Sequence, residues 1–104
     1  MTHAPMDLEK FTRKAGIVAN LLKSLSNGRR LMLLCKLVEK GEMTVGEAAT
    51  EIGVSQSVIS QHLARLRTEG LVTFRRDRQT LWYRIADDRV EALMTSLYAL
   101  YCQD

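Results

Sequence analysis

Two cysteines, Cys35 and Cys102, are the most reactive side chains in this sequence, and they lie far apart along it. Such thiols can be inert core side chains, metal ligands or reactive groups. A second set is polar and basic. Ser55, Gln56, Ser57, Ser60, Gln61 and Arg65 fall in one short stretch, and Arg75, Arg76 and Arg78 follow in an arginine-rich one. Hydroxyl and carboxamide groups reach base edges and phosphates, and guanidinium groups neutralise phosphates. Gln56, Ser57, Ser60 and Gln61 are therefore candidates for base-edge contacts, glutamine because its amide pairs bidentately with adenine. His62 borders this set, either as a phosphate contact or as a packed or capped surface histidine. The chain has no nucleophile–base pair at readable spacing, no glycine-rich phosphate loop and no metal-ligand cluster, a pattern that points away from an enzyme.

The distribution of charge is more informative than its sum. The formal net charge is +3. Residues 1–54 hold eight Lys/Arg against six Asp/Glu, and residues 55–86 hold six arginines against Glu69 and Asp77. Residues 87–104 hold Arg89 against Asp87, Asp88, Glu91 and Asp104. Positive charge thus gathers at +4 over 55–86, where the polar stretch lies, although a merely solvated basic face would look the same. At 104 residues with 46% apolar content, the chain suits one folded domain with a modest core. The longest apolar run, LMLLC at 31–35, is far too short to cross a membrane, and MTHAPMDLEK has no apolar secretory core. A cytoplasmic location is expected, and there a structural disulfide is not normally kept.

The elements that position these groups can be read from periodicity and caps. Residues 1–6 read as a flexible tail and 7–104 as the domain. A first helix is expected from about Asp7, its cap, to Leu25, with Phe11, Ala15, Val18, Leu21, Leu22 and Leu25 as its stripe. A second, capped by Asn27, spans about Gly28 to Lys40 with Leu31, Leu34, Cys35 and Val38 on one face. Met32, Leu33 and Leu37 add apolar surface elsewhere, which marks this helix as central. Thr44, three residues before Glu47, has capping-box spacing and opens a short helix whose inner face is Val45, Ala48, Ala49 and Ile52. Gly53 permits a tight turn. Ser55 caps a fourth helix to about Glu69, with Val58, Ile59, Leu63 and Leu66 inward and Ser57, Ser60, Gln61, Ala64 and Thr68 outward. Leu71–Phe74 and Thr80–Ile85 read as paired strands joined by Arg75–Gln79. A last helix starts at Asp87 or Asp88 with Val90, Leu93, Met94, Leu97, Tyr98 and Tyr101 as its stripe. The order is mainly α with one small hairpin, α-α-α-α-β-β-α. Helix, tight turn, polar-faced helix and basic hairpin together form a shape suited to a nucleic acid duplex. Ser55, Gln56 and Ser57 would meet phosphates at a helix N-terminus. A winged helix serving only protein assembly is the reading from another class.

The string SQSVISQHLARLRTEGLV, followed by the arginine-rich hairpin and TLWYRI, resembles the ArsR family of bacterial transcriptional repressors. The resemblance runs from about residue 8 to 102. It implies a winged helix–turn–helix homodimer, joined through the first and last helices, that binds inverted-repeat operator DNA and releases it when an inducer binds. The apolar stripes at 11–25 and 90–101 would form the interface, or else an ordinary intrachain core.

Many members of that family sense metals. One common site needs a cysteine pair where this chain has Thr44-Val45-Gly46-Glu47-Ala48, and another needs histidine in the last helix, which has Asp87, Asp88 and Glu91 only. His3 and His62 are the only imidazoles, so no set of about four ligands is visible and no cofactor is implied; a thiophilic ion between Cys35 and Cys102 stays an alternative. RLMLLCKLVEKG and LYALYCQD are instead similar to the persulfide- and redox-responsive SqrR/BigR/YgaV/HlyU subgroup. That resemblance implies that Cys35 and Cys102 form a dithiol that senses reactive sulfur species, closing a disulfide or longer sulfur bridge that releases DNA. General sensing of peroxide or disulfide stress, and an anti-repressor role like that of HlyU, are the alternatives. Arg29, Arg30 and Lys36 lie near Cys35 in sequence and would favour its thiolate if they point at it.

Overall fold

Five side chains start the five helices by accepting hydrogen bonds from backbone N–H groups that have no partner inside the helix. In a computed structural model, which describes residues 6–102, the Lys10 N–H donates to Asp7 at 2.9 Å and the Arg30 N–H to Asn27 at 3.1 Å. The Val58 N–H donates to the Ser55 hydroxyl at 3.2 Å and the Arg89 N–H to Asp87 at 2.9 Å. At Thr44 the exchange is reciprocal: the Glu47 N–H donates to the hydroxyl at 3.1 Å, and the Thr44 N–H to the Glu47 carboxylate at 3.0 Å. The elements are α1 (Leu8–Leu25), α2 (Gly28–Lys40), α3 (Val45–Ile52), α4 (Gln56–Thr68), β1 (Val72–Asp77), β2 (Thr80–Ile85) and α5 (Asp88–Tyr101). Most of the expected N-terminal tail, residues 1–5, lies outside the described residues. No helix among the described residues is long and apolar enough to cross a membrane.

The core forms around α2, the central helix expected, with its deepest stripe rotated from the expected one and sharing Leu34 with it. Leu33, Leu34 and Leu37 are fully buried, whereas Leu31, Cys35 and Val38 are half-buried at the edge and Met32 is exposed. The period of an α-helix allows either stripe; the neighbours decide, because α3, β2 and α5 all pack on α2 and the core they share takes Leu33, Leu34 and Leu37 deepest. Burying each of these leucines contributes about 1.5–3 kcal/mol. Ala48 and Ala49 of α3 and Ile59, Leu63 and Leu66 of α4 complete the helix–turn–helix core, and Val72, Val90 and Met94 join it from the hairpin and α5. Gly53 has φ +80°, so the turn between α3 and α4 uses a backbone conformation that other residues adopt only with strain.

The hairpin is longer and its turn tighter than expected. β1 pairs antiparallel with β2 from Val72↔Ile85 to Asp77↔Thr80, leaving only Arg78 and Gln79 as the turn. Arg75, Arg76 and Asp77 are thus strand residues and not part of the connection, because backbone pairing takes no account of side-chain polarity. Two-residue turns also match the twist of paired strands, and Arg78 accepts φ +60° to make one. On the far side of β2, Met43 and Tyr83 exchange backbone hydrogen bonds at 3.0 and 2.8 Å, which ties the α2–α3 loop to the sheet.

Of the two readings left open for the α1 stripe, interface or intrachain core, the second holds only in part. Within that stripe only Leu25 is buried; Ala15, Val18 and Leu21 are half-buried, and Phe11 and Leu22 are exposed, as is Ile17 beside them. In α5, Val90 and Met94 are buried, Leu93 and Leu97 half-buried, and Tyr98 and Tyr101 exposed. The radius of gyration is 15.4 Å, against about 13 Å for a compact domain of this length. Replacing Thr44 by Ala is expected to destabilise the fold by about 1 kcal/mol. Urea unfolding would read this as a lower midpoint at unchanged slope; an unchanged midpoint would mean that the capping box contributes nothing.

Candidate DNA-reading surface and thiol cleft

α4 presents its polar face because its apolar face is committed to α3, β1 and the shared core. Gln56, Ser57, Ser60, Gln61 and Arg65 are all exposed. The oxygen of Ser55 is spent on its cap, which leaves its hydroxyl proton free to donate. Gln56 lies back over α3, where a Cβ added to Gly46 would come within 3.5 Å of its Nε2. Arg65 is paired with Glu69 one turn on, at 3.4 Å. His62 is half-buried, and its pKa is lowered first by that burial and then by the charges of Arg30, Arg29 and Arg65. It therefore sits in a seam with these arginines, where burial and their charges both disfavour its protonated form. Nothing in the sequence pairs Arg29 and Arg30 with His62, because that proximity exists only once α2 and α4 have packed.

The three hairpin arginines have separate surroundings. Arg75 donates from Nε and Nη2 to the Glu42 carboxylate at 3.0 and 2.7 Å, and its guanidinium lies 5.5 Å from the centre of the Trp82 ring. Arg76 and Arg78 are exposed and make no ion pair among the described residues. Arg67 at the end of α4 lies 4.2 Å over the Phe74 ring, and Phe74 meets Tyr83 edge-on at 5.3 Å, so the hairpin is locked to the helix that precedes it. Glu42 was missed in the sequence. Its loop carries no signal for a partner on a strand 33 positions away.

Cys35 and Cys102 come together. Both are free thiols, and both line one cleft of about 450 Å³ between α2 and α5, with Met32, Val38, Met94 and Tyr98 among its apolar walls. Cys35 is half-buried and Cys102 exposed at the end of α5, where its N–H donates to the Tyr98 carbonyl at 2.8 Å. Burial pushes the Cys35 thiol up, and the negative charge of Cys102 adds to that shift. The cations near Cys35 in sequence do not offset it. The Lys36 ammonium, also on the cleft wall, is held by Glu39 at 3.5 Å and Glu51 of α3 at 3.4 Å. Arg30 points the other way and donates to the Ser24 carbonyl at 3.0 Å. Nearness in sequence therefore did not become a charge partner for the thiol, because carboxylates hold Lys36 and a backbone carbonyl takes Arg30. Among the described residues no group of three or more His, Cys, Asp or Glu could hold a metal ion.

Residues 27–73, which span α2 to the start of β1, match the model of the family described as bacterial regulatory protein, arsR family. The transcriptional activator HlyU of Vibrio cholerae is 42% identical over 100 residues, covering 96% of this chain and 92% of that protein. The crystal structure of the transcriptional repressor BigR from Xylella fastidiosa superposes with a TM-score of 0.86 at 42% identity, over 95% of this chain and all of that one. A homodimeric winged helix-turn-helix DNA-binding domain from Mycobacterium bovis superposes with a TM-score of 0.74 at 34% identity, over 95% of this chain and 89% of that one. Likeness at this level runs through all seven elements, from α1 to α5, and the chain belongs to the ArsR family of bacterial regulatory proteins, in the group of winged helix–turn–helix regulators that includes HlyU and BigR.

Proposed function

We propose that this protein is a homodimeric transcriptional repressor whose Cys35–Cys102 dithiol senses persulfides or polysulfides and releases operator DNA on forming a sulfur bridge. The observation that carries the reading is the placing of both thiols in one cleft between α2 and α5. On the DNA side, α4 would lie in the major groove, with Gln56, Ser57, Ser60 and Gln61 toward base edges and Ser55 and Arg65 toward phosphates. Arg76 and Arg78 would reach the backbone or minor groove from the wing tip. The dimer reading rests on the exposed apolar side chains of α1 and α5: Phe11, Ile17 and Leu22 on one, Tyr98, Leu100 and Tyr101 on the other. A two-fold dimer fits an inverted repeat, each α4 taking one half-site.

The chemistry closes in two steps. The more accessible thiolate, Cys102, attacks the sulfane sulfur of a persulfide RSSH and leaves with it as Cys102–S–SH, releasing RSH. Cys35 then attacks the inner sulfur of that group, expels hydrogen sulfide and closes Cys35–S–S–Cys102. In sum, two thiols and RSSH give a disulfide, RSH and H₂S; a second RSSH consumed before closure leaves one more sulfur in the bridge and a second RSH. Such a bridge ties α5 to α2, on which α3 packs, and α3 in turn holds α4. It would thus alter the separation of the two reading helices, which must match successive major grooves about 34–36 Å apart. HlyU is named an activator and BigR a repressor. Release of DNA serves either sign, since a regulator can also act by displacing another bound protein.

Polysulfide is expected to abolish binding to operator DNA and to give a Cys35–Cys102 bridge, as a disulfide or with added sulfur, whereas Cys35→Ser and Cys102→Ser should bind DNA and ignore polysulfide. Release by peroxide alone, with no sulfur-containing bridge after polysulfide, would instead favour a general thiol redox regulator. Arg76→Ala should flatten the dependence of log affinity on log salt by about 0.9 for each phosphate that goes unneutralised; an unchanged slope would favour an assembly module. The raised Cys35 pKa has a definite sign: its thiolate, and so its alkylation rate, should rise with pH at a midpoint above the ordinary thiol value. Cys102→Ser should lower that midpoint without restoring the ordinary value, because burial is the larger cause. A midpoint at or below the ordinary value would contradict the buried setting of Cys35.

A further inference from the structure

We propose that Glu42 is a positioning residue that withholds Arg75 from DNA and so limits how many phosphates each wing engages. The inference rests on reading the hairpin as a DNA-binding element. Alternation along β1 puts Phe74 and Arg76 on one face of the hairpin and Arg75 on the other. On that face Arg75 crosses β2, lies 5.5 Å from the Trp82 ring centre and reaches Glu42 beyond it. Both carboxylate oxygens are taken, at 2.7 and 3.0 Å, in the paired geometry that suits a guanidinium fork. The carboxylate is not delivered by a loose loop. Its neighbour Met43 is bonded in both directions to Tyr83 of β2, at 3.0 and 2.8 Å, so the backbone fixes where residue 42 stands. The Arg75 hydrogen bonds hold the Glu42 carboxyl below the usual carboxylate range, which keeps it ionised at neutral pH, and the charge of Arg84 works in the same direction.

The wing therefore carries three tip-side arginines but only two with free charge. Each guanidinium given to a phosphate releases counterions and steepens the salt dependence of binding, but one neutralised by a carboxylate has little to give. If Arg75 swung to the DNA, it would leave Glu42 ionised and unpaired beside the phosphate backbone, where like charges repel. Arg76 and Arg78 have no such competitor among the described residues. Trp82 adds a second hold, because the guanidinium would also have to leave the face of its ring.

A short duplex of random sequence tests the proposal without knowledge of the operator. Binding of the full chain is measured between about 50 and 200 mM salt, the range over which phosphate contacts are most visible. Glu42→Gln should bind more tightly than wild type at low salt, with a log–log slope steeper by about 0.9 per wing. Glu42→Asp, which keeps the charge, should fall nearer wild type. Arg75→Gln alone should leave the slope close to wild type, and adding Glu42→Gln to it should change little further. A wild-type slope in Glu42→Gln, or weaker binding by it, overturns the proposal. So does an effect of Glu42→Gln that persists at full size without Arg75, which would mean that the carboxylate acts on DNA directly. Arg75→Gln provides the check that the wing still folds, by its thermal unfolding. Should wild type bind duplex with no salt dependence, the wing reading itself fails; salt-dependent binding with an inert Glu42 sinks only this inference.

Discussion

Burial of Leu33, Leu34 and Leu37 is the constraint on which the other elements depend. These side chains point α2 into the body of the domain, and the helix–turn–helix, the hairpin and α5 all close on them. Turning that stripe inward leaves Cys35 on the edge of the helix, half-buried and facing α5. The same packing that supports the reading helix therefore places one thiol where the other can join it. In the proposed reading, a covalent change at the edge of α2 would bear on α3, which packs on α2 and in turn holds α4.

Charge is distributed with similar economy. The positive excess over residues 55–86 is real, but much of it is paired once folded: Arg65 with Glu69, Arg75 with Glu42, and Arg67 with the Phe74 ring. Arg76, Arg78 and Arg84 remain without an ion pair among the described residues, and the first two lie at the wing tip, the part of the hairpin farthest from the core. Lys36 and Lys40 are likewise engaged by Glu51 on α3. Exposed pairs of this kind add little stability. Their consequence is positional, since each fixes where a long side chain points and which charges remain for a partner.

The single chain leaves one thing unfinished. α1 buries only Leu25 fully, and α5 ends in exposed Tyr98, Leu100 and Tyr101. A domain of 104 residues gains its stability from a small core, and apolar surface left in water works against it. A second copy of the chain covers such faces most simply, because a two-fold interface uses one surface twice. The cleft holding Cys35 and Cys102 lies along the same helix, α5, so a sulfur bridge would be felt at any interface that helix forms.

The sequence by itself determined what depends on neighbours along the chain. Asp7, Asn27, Thr44 and Ser55 cap the helices they were expected to start, and Asp87, one of the two residues expected at the last helix, caps it, because a cap needs only a side chain within reach of the next turn. Element order, the polar face of α4 and the family resemblance were legible for the same reason. What depended on distant neighbours was not. Which α2 stripe faces inward was settled by three elements outside that helix, and the exposure of the α1 stripe by what the rest of the chain leaves uncovered. Arg75 read as a free cation until the fold brought Glu42 across a strand to meet it. Whether Lys36 and Arg30 point at Cys35 was left open by the sequence; Lys36 lines the same cleft but is held by Glu39 and Glu51, and Arg30 bonds to Ser24 instead. The two thiols themselves could be named from their motifs. Only the packing of α5 on α2 put them in one cleft, since proximity across the chain is fixed by how surfaces fit and not by the order of residues.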